Sequence, residues 1–403
     1  MIVLLQFHVD LNIRRSLKSK VSDRVLSGVE FYRAKTCLID LSVAERASNL
    51  SNITNAYGRF SSQRISDFLT HPRWKANGGD YWMAHTFRLQ ILNNSLFLSH
   101  LPGKEGEEKA KMHPRMYYII CFLHDLLRKV FLPDADFLIY VGDAFDWDML
   151  PFFDSEFRYA IPLFVQEKTT ASNTFLIHPR SFYGFADTLR EFKNSAPSIP
   201  TWAHRLSKAV WRGSTTGGPA REYEINSSRA RLVRLSLDNP GLLDARFTTC
   251  LVNAATCRIM EKEGMMGQSM SHMEQLKFKM VVMVDGNSLP DRFAHQLALG
   301  SVILKQESQH EEFWYKDAIP WVHYIPVAND LSNLVQRIKE GLSNETLLRS
   351  ISHAGSSLVR RKLGENQVQC LWLQLLQTHS EYFDYPVIPA SVRNHSSTFC
   401  ALP

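Results

Sequence analysis

Residues 278–286 read Phe-Lys-Met-Val-Val-Met-Val-Asp-Gly, a near-continuous apolar run that ends in a turn. A run of this length without polar alternation predicts a strand buried on both faces, as in a parallel sheet. A helix is predicted from about Leu289 to Leu299, where Gly300 ends it, and residues 301–304 form another short strand. This order of strand, helix and strand favours an α/β fold with a parallel sheet.

The alternation continues on both sides of this stretch. Towards the C-terminus, a strand is predicted over 321–327 and a helix over 330–340. Towards the N-terminus, strands are predicted over 208–211 and 242–247. The polar residues 226–228 between these two strands are typical of the cap of a helix that runs to about residue 237.

The first half of the chain has the same pattern less sharply, with a helix predicted over 116–130 and a strand over 137–141. We therefore expect two Rossmann-like, doubly wound domains that face a cleft, with ligands at the carboxyl ends of the strands. The expected divisions are an N-terminal extension over 1–44, a first domain over 45–195, a second domain over 196–380 and a tail over 381–403.

Composition narrows the class of protein. The 403 residues are 45% hydrophobic and 21% charged, which is typical of a folded chain of more than one domain. The 46 basic and 40 acidic residues give a net charge of +6, which favours an anionic ligand but is too small for a dedicated nucleic-acid binder. No apolar run is long enough to cross a membrane, and the first residues lack the pattern of a signal peptide.

Sequons and cysteines indicate the cellular compartment in which the protein folds. The cysteines number six and include no Cys-x-x-Cys pair, so disulfides and buried free thiols both stay open. Composition alone would give about two or three Asn-x-Ser/Thr sequons, and the excess favours the lumen of the ER or Golgi, with the N-terminal signal missing from this sequence. The sequons lie at Asn49, Asn52, Asn93, Asn226, Asn344 and Asn394.

A basic segment over 205–234 holds seven basic side chains and only two acidic ones. Arg212 stands at a predicted strand end beside a Gly-rich turn, where a guanidinium suits a phosphate or diphosphate. For Arg229, Arg231 and Arg234 the favoured interpretation is a solvated helix face. Walker, dinucleotide-binding, zinc-protease and serine-hydrolase signatures are absent, which argues against those enzyme classes.

The loop after the strand of residues 278–284 is a second candidate site. Pro290 is typical of the first turn of a helix, so Arg292 is expected near the positive end of a helix dipole. A cation is unfavourable there unless an anion is bound, which makes Arg292 a candidate phosphate ligand. The alternative is a salt bridge with Asp285 or Asp291.

Carboxylates supply the remaining candidates. Asp143 follows a predicted strand, where it could act as a general base toward a hydroxyl or simply form a turn. The Asp-x-Asp patterns at 134–136 and 146–148 resemble metal–nucleotide motifs, and we interpret both as chance matches. Glu312 could accept hydrogen bonds from ribose hydroxyls or serve as a helix-start charge. His323 is expected within a strand as a core histidine.

Several short motifs carry a resemblance. They are Trp211-Arg212-Gly213, residues 244–247, Phe278-Lys279 leading to Val284-Asp285-Gly286, Arg292, residues 300–306, Glu312-Phe313, residues 320–327 and 330–332, with Gly142-Asp143 and residues 181–184 in the first half. In this order and spacing they resemble the glycosyltransferase family 90 domain, the family of protein O-glucosyltransferases and capsule-associated xylosyltransferases. The resemblance implies a fold of GT-B type and inverting transfer from a UDP-sugar, with neither a metal nor a cofactor.

The resemblance also implies roles for individual residues. Asp143 matches the catalytic base of the family, and Phe182 and Tyr183 fall on the acceptor side. No metal ligand is expected. The implied donor-binding residues are Ser207, Arg212, Asn287, Ser288, Leu289, Pro290, Asp291, Arg292 and Glu312.

The favoured function is an enzyme that moves glucose or xylose from a UDP-sugar to a hydroxyl of a protein serine or a glycan. The presence of Arg212, Arg292 and the candidate base Asp143 favours this function. The alternative is a catalytically inactive relative that binds a glycan or a nucleotide. A nucleic-acid binder is disfavoured because the basic segment lacks interleaved aromatic residues. The expected partners are therefore a UDP-sugar and a protein or glycan acceptor, with no nucleic acid and no membrane span.

Overall fold

The computed structural model contains two larger sheets and one two-stranded ribbon in the part of the chain that it describes. The predicted extension over 1–44 lies outside the described residues. No helix within them is long and apolar enough to cross a membrane. The described residues are 59–70, 85–100, 114–143, 145, 161–170, 172, 174–217, 227–389 and 394–395.

Strands and helices alternate through the second half, as predicted. The strands are β1 (Thr86–Leu92), β2 (Ser95–His100), β3 (Ala135–Tyr140), β4 (Leu163–Val165), β5 (Lys168–Thr169), β6 (Phe175–Leu176), β7 (Leu206–Ser214), β8 (Leu243–Thr249), β9 (Phe278–Met283), β10 (Val302–Gln306), β11 (His310–Glu311), β12 (Ile325–Val327) and β13 (Asn394–His395). The helices are α1 (Ser62–Thr70), α2 (Pro114–Leu127), α3 (Phe182–Ser195), α4 (Ser228–Asp238), α5 (Ala254–Lys262), α6 (His272–Gln275), α7 (Arg292–Ala298), α8 (Leu334–Ser343), α9 (Glu345–Lys362) and α10 (Glu365–Glu381).

The second sheet has five parallel strands in the order β12-β10-β9-β7-β8. Numbered within the sheet this order is 5-4-3-1-2, a doubly wound arrangement whose direction of winding changes between β7 and β9. Successive side chains face opposite sides: Val210 and Val281 enter the core shared with the first sheet, whereas Trp211 and Val282 enter the outer core. The predicted α/β architecture with a parallel sheet is confirmed.

The first sheet is mixed, in the order β13-β2-β1-β3-β4-β6. Strands β3, β4 and β6 are parallel, whereas β1 pairs antiparallel with both β2 and β3. Asn93 and Asn94 form the two-residue turn between β1 and β2, with φ values of 49° and 59°. Positive φ at both positions is the geometry of a type I′ turn, whose twist suits a hairpin. Because of this hairpin, the first sheet is mixed and not fully parallel as expected.

The predicted strand over 321–327 is shorter in the structure. Trp321 has a φ of 64°, and its N–H donates to Tyr324 O at 2.7 Å, so a tight turn precedes β12. His323 therefore lies in the turn rather than within a strand, and its Nδ1 accepts from the Ile319 N–H at 2.9 Å.

The C-terminal segment returns to the first sheet. Trp372 of α10 packs against Phe137 and Phe164, with ring centroids 6.3 and 5.9 Å apart. After α10 the backbone pairs with Phe60, which accepts from the Asp384 N–H at 2.7 Å. The sequence placed α10 with the second domain and treated the residues after 380 as a tail, whereas the structure packs α10 and the described residues after it on the first sheet.

Cysteines form disulfides in the described residues. Cys250 and Cys257 are bridged with a Cα–Cα distance of 5.9 Å and tie the start of α5 to the end of β8. Cys121 and Cys370 are also disulfide-bonded, and no free cysteine is found among the described residues. Of the two possibilities left open by the sequence, disulfides are therefore the one observed.

A buried ion pair connects β1 and β3. The side chains of Arg88 and Asp136 are 6% and 0% exposed, and Arg88 Nε donates to Asp136 Oδ1 at 2.8 Å. Gln90 Nε2 donates to the other carboxylate oxygen at 2.9 Å. The structure thus commits Asp136 to the core, which supports the interpretation of its Asp-x-Asp pattern as a chance match.

We expect Asp136→Ala to lower the free energy of unfolding by about 3–5 kcal/mol, because it leaves the Arg88 guanidinium buried without its carboxylate. Urea unfolding measures the change. Asp187→Ala is the matched control, because Asp187 and its partner Arg190 are about 70% exposed. A loss for Asp136→Ala no larger than that of the control would contradict the prediction.

Candidate functional site

A cavity of about 550 Å³ opens between the two sheets. Residues from the first half reach it at the ends of strands: Asp143 follows β3, and Arg180 follows β6. On the other side it lies where the second sheet changes its direction of winding, which is the usual ligand site of doubly wound sheets. The second half supplies Ser214, Thr216, Arg229, residues 270–272, Gln275, residues 286–292 and His295.

Two glycines allow the loops after β7 and β9 to meet. Gly217 has a φ of +93°, and a Cβ at this residue would lie 2.9 Å from Gly286 O. The Gly217 N–H donates to Asn287 Oδ1 at 3.2 Å. A side chain at Gly217 would therefore be strained and would also separate the loops.

Arg229 donates hydrogen bonds to both the loop after β7 and the loop after β9 and so holds them together. It is the second residue of α4, it is buried, and its Nε donates to Asp285 O at 2.9 Å. Its Nη1 donates to Ser214 O at 2.9 Å and to Thr216 Oγ1 at 2.6 Å. A Cβ on Gly286 would lie 2.4 Å from Arg229 Nη2, so this glycine makes room for the guanidinium.

Arg292 supplies a second cation to the same wall. Its Nη1 donates to the backbone oxygen of Arg212, which fixes the guanidinium at the end of β7. Burial lowers the pKa of Arg292, and the neighbouring Asp291 carboxylate opposes this shift. Arg292 is half-buried, so its charge interacts more strongly with an anion in the cavity than the charge of an exposed arginine would.

Carboxylates from both sides of the cavity surround Arg180. Its guanidinium lies 3.6 Å from Asp143 Oδ1, 2.8 Å from Glu167 Oε1 and 3.1 Å from Asp291 Oδ1. Glu167 Oε1 also accepts from Ser288 Oγ at 3.0 Å. The cluster therefore joins loops of the first sheet to the loop after β9.

Burial changes the protonation of two glutamates near this cluster. It raises the pKa of Glu167 to about 7, against the lowering effect of Arg180. It raises the pKa of Glu312 to about 8, with a further increase from Glu167. Glu312 Oε2 accepts from Trp314 Nε1 at 2.6 Å. Both carboxyls therefore carry a substantial protonated fraction at neutral pH.

A histidine pair forms an uncharged part of the wall. The rings of His272 and His295 stack with centroids 5.2 Å apart. Burial lowers the pKa of His272 to about 4 and also lowers that of His295. The pair is therefore neutral at pH 7, and arginines carry the positive charge of the cavity.

The structure brings some of the predicted site residues together. Asp143 and the whole loop 287–292 line the same cavity, from opposite sides. The roles given to them stay predictions, since the geometry shows where they lie and not what they bind. The pairing of Arg292 with Asp285 or Asp291 was the alternative, and Arg292 Nη1 instead donates to a backbone oxygen.

Two predicted donor residues are not on the cavity wall. Ser207 is exposed near the amino end of β7, seven residues from Ser214, or about 23 Å away along an extended strand. Arg212 is buried and donates to Asp244 Oδ2 at 2.9 Å and to the backbone oxygens of Trp211, Asp244 and Gln268. The strand directs its side chain to β8, and only its carbonyl serves the site by holding Arg292.

The other predicted site residues, Phe182, Tyr183 and Glu312, also lie away from the cavity wall. Tyr183 Oη pairs with His178 Nε2, and its ring stacks on Tyr118 with centroids 4.8 Å apart. Phe182 packs edge-on against Phe122, so both predicted acceptor residues belong to an aromatic cluster outside the cavity wall. Glu312 follows β11 instead of opening a helix, and it is buried against Trp314.

Sequence reasoning missed Arg180, Glu167 and the two histidines, and it interpreted Arg229 as part of a solvated face. No sequence motif marks Arg180, Glu167 or the two histidines. Arg229 did carry a signal, because it lies in the first turn of a helix, as was argued for Arg292. Within the described residues, no group of three or more His, Cys, Asp or Glu side chains could hold a metal ion. The absence of a metal requirement stays a prediction.

Comparisons with known proteins agree on a family. The profile described as Glycosyl transferase family 90 matches residues 82–401. Human Protein O-glucosyltransferase 3 is 28% identical over 299 residues, which cover 72% of this chain and 54% of that protein. Human Protein O-glucosyltransferase 1 is 29% identical over 272 residues, covering 64% of each. The chain thus spans about half to two-thirds of the length of these relatives.

Solved structures give a more distant likeness. The crystal structure of HepE from Anabaena in complex with UDP-glucose aligns with 67% of this chain and 77% of that chain. Its TM-score is 0.39 and its sequence identity is 9%. TarM from S. aureus covers 72% of this chain and 49% of its own, with a TM-score of 0.34 and 12% identity.

We expect Glu312→Gln to stabilise the protein at alkaline pH. A carboxyl whose pKa rises on folding contributes stability below its unfolded pKa of 4.5, and this contribution is lost as the pH rises towards about 8. Glutamine cannot ionise and keeps an acceptor for Trp314 Nε1. The advantage of the variant should therefore grow from pH 5 to about pH 8, by up to about 1.4 kcal/mol per pH unit, and level off above it.

Thermal unfolding across this pH range measures the difference. Glu307→Gln is the matched control, because Glu307 is exposed and its replacement should leave the pH dependence of the wild type unchanged. Parallel pH profiles for wild type and Glu312→Gln would contradict the burial argument.

Proposed function

Because the chain belongs to glycosyl transferase family 90, we propose that it transfers glucose from UDP-glucose to a hydroxyl of a protein acceptor. The names of its relatives support glucose as the sugar and protein as the acceptor. The observation that carries the proposal is the presence, in the lining of one cavity, of the Asp143 carboxylate and the Arg292 cation.

Asp143 is the proposed general base. Its side chain is 37% exposed and lines the cavity, so an acceptor hydroxyl can reach it. As the acceptor oxygen attacks the anomeric carbon, the O–H proton passes to the Asp143 carboxylate. The new bond joins oxygen to the anomeric carbon, and the bond from that carbon to the UDP oxygen breaks. Attack from the side opposite the leaving group inverts the anomeric configuration.

The leaving group is the UDP diphosphate, which gains negative charge as the bond breaks. Arg292 lines the same cavity as Asp143, and its guanidinium is held by a hydrogen bond to the backbone oxygen of Arg212. A fixed cation aimed at developing charge can contribute on the order of 3 kcal/mol to the stabilisation of a transition state. Arginine thus supplies the charge that a metal ion supplies in other transferases, and the proposed reaction uses none.

We also propose a lumenal compartment of the secretory pathway. The Cys250–Cys257 bridge and the disulfide-bonded Cys121 and Cys370 are the support for this, because disulfides persist in oxidising compartments.

The proposal is tested by incubating the purified protein with a serine-containing protein acceptor and UDP-glucose or UDP-xylose in EDTA, and measuring the UDP release that depends on the acceptor. We expect turnover with UDP-glucose, and Asp143→Asn should lower it by at least about 100-fold because the amide cannot take the proton. Asp187→Asn, an exposed aspartate on α3, is the control. UDP binding without release by wild type would favour the inactive relative, and preference for UDP-xylose would change the donor.

We expect Arg292→Ala to weaken UDP binding at least about tenfold, or about 1.4 kcal/mol, because it removes a fixed cation from the wall. Isothermal titration calorimetry measures the Kd. Arg190→Ala removes an exposed arginine of α3 and should leave the Kd unchanged. Equal affinities for wild type and Arg292→Ala would rule out contact between Arg292 and the diphosphate.

A further inference from the structure

We propose that Arg180 is a positioning residue that couples the loop 287–292 to Asp143, so that the loop that receives the donor also sets the candidate base in place. This inference rests on the proposed function, because it assumes that Asp143 acts on the acceptor and that the loop contacts the donor. Arg180 is not among the residues that the sequence or the family resemblance singled out.

The geometry places Arg180 between the two halves of the site. Its Nη2 lies 2.8 Å from Glu167 Oε1 and 3.1 Å from Asp291 Oδ1, while its Nη1 lies 3.6 Å from Asp143 Oδ1. Glu167 and Asp143 follow strands of the first sheet, and Asp291 immediately precedes α7 of the second. One guanidinium therefore touches the candidate base and the loop 287–292 at the same time.

A second connection runs through the buried end of the cluster. Ser288 Oγ donates to the same Glu167 oxygen that accepts from Arg180, at 3.0 Å. Two residues of the loop 287–292, here called the donor loop, thus contact the Arg180–Glu167 pair: Ser288 contacts Glu167 and Asp291 contacts Arg180. A shift of this loop when phosphates enter would move the pair, and the planar fork of the guanidinium would transmit the shift to Asp143.

The residues of this cluster differ in exposure: Glu167 and Arg180 are largely buried, whereas Asp143 and Asp291 are open to the cavity. The Glu167 side chain is 4% exposed and that of Arg180 is 15% exposed, whereas Asp143 and Asp291 are 37% and 50% exposed. The buried glutamate anchors the arginine, and the arginine orients two carboxylates that remain open to the cavity. A purely structural ion pair needs only one acid, and the two exposed ones add little to stability.

Arg115 limits the loss of kcat that replacement of Arg180 can cause. Its Nη1 lies 3.9 Å from Asp143 Oδ1 and donates to Val141 O at 2.7 Å. Asp143 thus keeps one neighbouring cation, Arg115, when Arg180 is replaced. The expected consequence is a misplaced base rather than a lost one.

The experiment compares wild type with Arg180→Gln and Arg180→Lys in UDP-glucose turnover, with UDP Kd and Tm measured on the same samples. We expect Arg180→Gln to lower kcat on the order of 10- to 100-fold, as for a displacement of a catalytic group by about 1 Å. The UDP Kd should change less than the kcat does, because the Arg292 side of the site is intact. Arg180→Lys should recover part of the kcat, since it restores the charge without the fork.

A double-mutant cycle with Asp291→Asn tests the coupling itself. If Arg180 carries the connection, Asp291→Asn should lower kcat in the wild-type background and change it little in the Arg180→Gln background. Arg190→Gln, an exposed arginine on α3, is the control that should leave kcat unchanged. Additive effects would overturn the proposal, as would an unchanged kcat in Arg180→Gln or a kcat loss fully explained by a fallen Tm. Absence of turnover in wild type would instead overturn the proposed function, and this inference with it.

Discussion

The burial of β9 on both faces is the constraint on which the site depends. Because Val281 enters one core and Val282 the other, this strand can present polar side chains only where it ends. Its neighbour β7 runs parallel to it, so the two strands release their following loops at the same edge. Gly217 and Gly286 let these loops touch, and the cavity wall formed by residues 286–292 follows from that contact.

The part of the site that follows from this parallel sheet could be predicted from the sequence, because an apolar strand and the helix after it are local patterns. The opposite wall could not. Glu167 and Arg180 are placed by β4 and β6, which have three and two residues and are too short to carry a periodic pattern. The return of α10 to the first sheet depends on contacts such as that of Trp372 with Phe164, between residues far apart in the chain. Ser207 lies away from the cavity, because a short motif fixes a position along a strand but not which end of the strand faces the ligand.

The cost of a cation at a helix start explains why two arginines stand where they do. Arg229 is the second residue of α4 and Arg292 the first of α7, positions at which a positive charge opposes the helix dipole. In the structure each guanidinium donates to backbone oxygens at strand ends, Arg229 to Ser214 and Asp285 and Arg292 to Arg212. These carbonyl oxygens offset the unfavourable interaction with the helix dipole and hold both guanidinium groups in place.

The charge around the cavity follows from which groups stay ionised. Burial leaves His272 neutral, so the positive charge belongs to the arginines. It also holds Glu167 partly protonated, which limits the repulsion among the carboxylates that surround Arg180. A proton arriving at Asp143 would reduce the negative charge beside Arg180 while diphosphate charge grew beside Arg292. In the proposed reaction the charge therefore changes at both places together, and Arg180, which contacts both Asp143 and Asp291 of the donor loop, is the group that would couple the two changes.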